Sequence, residues 1–112
     1  MTKVGEGGQV PEKPTLQQYQ KEIDFNAEKF LNALQSYDIS TDSGERAQLK
    51  GIMDQQLALI RAAVNEVKKA GIYKQDVKVE NDYQQYIAND NPASLQALEE
   101  DVQTLRDYTK LG

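Results

Sequence analysis

The chain has 112 residues, enough for one domain with a single modest core; 38% are hydrophobic, 28% are charged, and the formal net charge is -5. It contains no cysteine and no histidine, which excludes disulfides, thiolate and imidazole metal sites, a thiol nucleophile and the commonest general base. Acidic residues are spread along the whole sequence and would repel a phosphate backbone, so nucleic acid is not an expected partner.

Residues 1–14 carry Gly5, Gly7, Gly8 and Pro11 without apolar periodicity and are expected to be a flexible tail, leaving residues 15–112 as the helical domain. Gly5-Glu6-Gly7-Gly8 lacks the Lys-Ser/Thr pair and the preceding strand of a phosphate loop. Met1 to Val10 has no apolar core of the kind a secretory signal needs, and no later run approaches the ~20 residues of a membrane span. A cytoplasmic location is expected, or export by a route that needs no cleaved signal.

Thr15 and Gln18 form a capping box that opens a first helix, expected to reach about Tyr37. Leu16, Ile23, Phe30 and Tyr37 recur every seven residues along it, with Tyr19, Ala27, Ala33 and Leu34 beside them. Asn26 completes the seam, either as a buried polar residue that fixes register or as a solvated edge position. Asp38 to Gly44 is a polar connection. Its Asp38, Ser40 and Asp42 alternate like the first ligands of a calcium loop, but Ser43 and Leu49 stand where such a loop needs glycine and a bidentate glutamate, so a turn and helix cap is expected.

The longest periodic stretch is Ser43 to Ala70, opened by Asp42 with Glu45 and closed by Gly71. Leu49, Met53, Gln56, Ile60, Ala63 and Val67 form its main line, widened by Ile52, Leu57, Leu59 and Val64 into a face that needs cover on two sides. Gly51 inside this helix costs about 1 kcal/mol relative to alanine, which suggests close approach of a neighbouring backbone. Ile72 to Val79 is ambiguous between loop and helix and is expected to lead into a short helix ending near Ala88, with Val79, Tyr83, Tyr86 and Ile87 on one face. Asn89-Asp90-Asn91-Pro92 breaks the chain, with Asn91 as N-cap and Pro92 at the first helical position. The last helix carries Leu95, Leu98, Val102 and Leu105, with Tyr108 and Leu111 as extensions. Glu99, Glu100 and Asp101 lie at consecutive positions, point around the helix and do not converge on a metal.

Asn91-Pro92-Ala93, followed by Leu95, Leu98, Val102 and Leu105, resembles the turn and second-helix start of type III secretion needle subunits. Tyr108-Thr109 is similar to a needle-type dipeptide, one turn later than in that family. The resemblance implies a bacterial, secretion-associated helical protein, such as a chaperone or accessory. The small hairpins of type VII export are similar in length and helicity, but their Trp-x-Gly turn has no counterpart in a chain without tryptophan.

The expected fold is all-α, an antiparallel bundle of three to four helices with one long central helix. The expected function is a non-catalytic protein-interaction module acting through an apolar helical face, with Tyr73, Tyr83, Tyr86, Ile87 and Tyr108 as candidate contact residues. The alternatives are a self-assembling subunit, in which the partner is a second copy packed helix to helix, and a bundle that binds a small ligand or uses carboxylates catalytically. No metal or other cofactor is expected.

Overall fold

A computed structural model describes residues 15–110, so the expected tail at 1–14 and Leu111 lie outside the described residues. Four helices fill this range: α1 (Leu16–Ile39), α2 (Ser43–Val67), α3 (Ala70–Ala88) and α4 (Pro92–Lys110). Connections of two or three residues join them and force each helix back against its predecessor. The pairs in contact are α1 with α2, α2 with α3, α3 with α4 and α4 with α1, which defines an up-down-up-down ring. α2 is the longest at 25 residues, but α1 has 24, and each helix occupies one corner of the ring.

The helix starts follow local chemistry. The Thr15 hydroxyl accepts from the Gln18 N–H at 3.2 Å while the Gln18 side chain accepts from the Thr15 N–H at 2.7 Å, closing the capping box. Asp42 accepts from the Glu45 N–H at 2.7 Å, and Asn91 accepts from the Ser94 N–H at 2.9 Å.

Three boundary expectations are corrected. α2 ends at Val67 instead of Ala70, and the left-handed stop is Lys68, with φ 60°, instead of Gly71. Val67 and Ile72 are both drawn into the core, at 5% and 3% exposure, so the reversal must occur in the two residues between α2 and α3. Gly71 therefore sits in the first turn of α3, and residues 72–79 are continuously helical, making α3 a full-length member of the ring. A Cβ at Gly51 would meet nothing within 4 Å, so no internal backbone approaches there.

The core is contributed by all four helices. Ile23, Phe30 and Leu34 of α1, Met53, Ile60 and Val64 of α2, Val79, Tyr83 and Tyr86 of α3, and Leu98, Val102 and Leu105 of α4 are enclosed. α1 and α2 approach most closely, with Ala33 and Ala63 among their buried residues, whereas the α2–α3 seam is the most widely spaced. Asn26 is buried at 5% exposure and spends its amide on the Glu22 carbonyl of its own helix at 3.0 Å. It reaches no partner helix through that bond and therefore does not set register by it.

Candidate functional site

Polar side chains span the wide α2–α3 seam along its length. At one end of it Arg46 donates to Asp90, in the connection after α3, at 2.9 Å and lies over the Tyr37 ring of α1 at 4.0 Å. The Tyr83 hydroxyl donates to Asp54 at 2.6 Å, and its ring meets Phe30 edge-on with centroids 5.6 Å apart. Arg61 donates to Asp76 at 2.5 Å and pairs with Glu80 at 2.6 Å, while Tyr73 stacks on the guanidinium at 5.2 Å. Burial raises the Asp76 carboxyl above its ordinary value and Arg61 opposes that rise; Glu80 is raised by burial first and by the Asp76 charge second.

The five contact residues expected from sequence do not form one surface. Tyr83 and Tyr86 are enclosed at 2% and 0% exposure, which corrects the expectation that they face a partner. The large volume between the two hairpins is filled by these rings, and each hydroxyl is satisfied by a carboxylate, Asp54 for Tyr83 and Asp38 at 2.8 Å for Tyr86. Ile87 is half-buried against the core. Only Tyr73 on α3 and Tyr108 on α4 remain exposed.

The residues that suggested a calcium loop are engaged internally: Asp38 receives the Tyr86 hydroxyl, Ser40 donates to Glu45, and Asp42 caps α2. Among the described residues no cluster of three acidic side chains converges as a metal site, and no helix is long and apolar enough to cross a membrane. A cleft of about 610 Å³ lies where the first turns of α1 meet the last turn of α4, lined by Leu16, Gln20, Lys21, Asp24 and Lys110. A smaller one of about 300 Å³ lies on the α2–α3 seam between Asp54, Arg61 and Glu80. Both are open to solvent.

The outer flank of α2 is different in character. Gln48, Ile52, Gln55, Leu59 and Ala62 succeed one another at steps of four, three, four and three, so they lie along one face, with Gly51 beside Ile52. All six are exposed and none carries a charge. Ile52 and Leu59 each keep 43% of their surface in water. This corrects the sequence expectation that both help to close the core, which Leu57 and Val64 do instead. The signal was present in the spacing: these residues form a second four-and-three ladder, displaced by one residue from the core line through Met53 and Ile60.

Comparison with known proteins finds no matching family, no matching curated sequence and no matching solved structure.

Proposed function

We propose that this chain is a non-catalytic protein-interaction module that receives an amphipathic helix of another protein along the uncharged outer face of α2. One observation carries the reading: six exposed positions, Gln48, Gly51, Ile52, Gln55, Leu59 and Ala62, run without a charge through a chain that is 28% charged, outside a core already closed by other residues. An exposed ladder of this spacing offers a helical partner two apolar anchors two turns apart, with amides on either side. Gly51 costs helix stability without relieving any internal contact, and a backbone approaching from outside gives that cost a use. The resemblance around Asn91 and Pro92 suggests a secretion-associated chaperone or accessory as the setting. A second copy of the chain is the alternative occupant, since a neutral stripe lets two molecules of net charge -5 meet without direct repulsion.

The test compares the wild-type chain with a variant carrying both Ile52→Glu and Leu59→Glu. The variant keeps its helicity and melting transition, because neither side chain is needed in the core, and loses the proteins that the wild type captures from the cells that express it. An unchanged set of captured proteins refutes the assignment. Light scattering over a range of concentration separates the two occupants: mass growth in the wild type that the double variant abolishes favours self-association.

A further inference from the structure

Asp76 is the one carboxylate among the described residues whose surface is wholly removed from water. One of its oxygens accepts from the Arg61 Nε, and the other, Oδ1, is buried with no hydrogen-bond partner. Glu80 lies one turn further along α3 and is held by the other arm of the same guanidinium. Two acidic groups thus share a single cation, and the cluster lacks one donor as well as one positive charge.

We propose that Asp76, Glu80 and Arg61 form a proton-accepting clasp on the α2–α3 seam, which takes up one proton on acidification and binds the two hairpins together more firmly with that proton than without it. A proton from solvent adds to a carboxylate oxygen of the pair, most simply that of Glu80, which is partly exposed. The new O–H supplies the donor that Asp76 Oδ1 lacks, while Arg61 remains on the surviving charge. The proton belongs to the pair and not to either residue alone.

The groups that act on the clasp are few. α2 contributes Arg61, with Asp54 further along and already occupied by Tyr83 and Lys50. α3 contributes Asp76, Glu80 and the Tyr73 ring over the guanidinium. Toward α4, Lys78 pairs with Asp101, and Asp82 likewise projects from a flank of α3 other than that of Asp76 and Glu80. Burial favours the neutral form of both carboxyls, so the folded chain holds the proton more tightly than the unfolded chain, whose carboxyls have the ordinary values of 3.8 and 4.5. The stabilisation is complete below those values and is lost as pH rises through the folded-state values.

Carbon-13 NMR titration of the side-chain carboxyls reads the clasp directly in the full chain. Asp76 or Glu80 is expected to titrate above its ordinary value, and the two signals are expected to shift together. In parallel, urea unfolding midpoints are measured at pH 7 and pH 5 for the wild type, Asp76→Asn and Glu80→Gln. The wild-type midpoint rises on acidification relative to Glu80→Gln, which carries the comparison by itself if Asp76→Asn fails to fold. Titration of both carboxyls at or below their ordinary values, or parallel pH dependence in the wild type and Glu80→Gln, overturns the proposal.

Discussion

Replacing Gly51 by alanine is expected to stabilise the bundle. Gly51 lies in the interior of α2, on its exposed side, and the added methyl would meet no atom within 4 Å, so the change carries no packing cost. What remains is the backbone term. Glycine in a helix interior is disfavoured relative to alanine by about 1 kcal/mol, chiefly because the unfolded chain loses more freedom on folding. For a domain of this size a gain of that order raises the melting temperature by about 4 to 8 °C. Urea unfolding followed by helical circular dichroism should show a higher midpoint with an unchanged slope, the signature of a stability change without a change in exposed surface. The same variant places a methyl on the proposed docking face, so partner binding should weaken while the isolated chain becomes more stable. An unchanged or lower midpoint would refute the reasoning, because it would mean that the helix around Gly51 is packed or bent in a way that the open space there excludes.

Ile60→Asp places a charge on the core line of α2, where the native side chain is 1% exposed, and is expected to cost more than about 4 kcal/mol, enough to abolish a cooperative melting transition. Gln56→Leu should stabilise by about 1 kcal/mol in the same unfolding assay, because the native side chain is buried with its Oε1 unpartnered. Burial and the neighbouring carboxylates, Asp54 for Tyr83 and Asp38 for Tyr86, raise both tyrosine hydroxyls well above the ordinary value of 10.0. The unfolded chain therefore ionises first, and stability falls as pH rises beyond that value. Ultraviolet titration should show Tyr83 and Tyr86 ionising only as the helical signal is lost, a delay that Tyr83→Phe and Tyr86→Phe reduce one residue at a time.

How much could be read before folding depends on how local the cause is. The Thr15–Gln18 capping box, the Asp42 and Asn91 caps and the Pro92 start are settled within four residues, and each forms as the sequence implies. Periodicity likewise identified Ile23 and Phe30 of α1, Met53 and Ile60 of α2 and Leu98, Val102 and Leu105 of α4 as inward, but it also placed Leu16, Ile52 and Leu59 in the same apolar patterns, and these three are exposed because no neighbouring helix covers them. The end of α2 was less legible: Gly71 is the residue best suited to a left-handed turn, yet Lys68 takes it, because the burial of Val67 and Ile72 fixes where the chain must reverse.

Sequence alone determined the helical class, the helix starts and the chemistry that a chain without cysteine or histidine cannot perform, since composition and short-range hydrogen bonding suffice for these. Tertiary structure decided the fate of each tyrosine and of each apolar residue at the edge of a stripe. Tyr83 and Tyr86 are as amphipathic as Tyr73 and Tyr108, but only the ring of four helices determines which rings fill the space between hairpins and which meet water. It also brought Arg61 onto two carboxylates fifteen and nineteen positions away and left Ile52 and Leu59 outside the core. Such outcomes depend on which flank each neighbour covers, a property of helix packing that no single helix encodes.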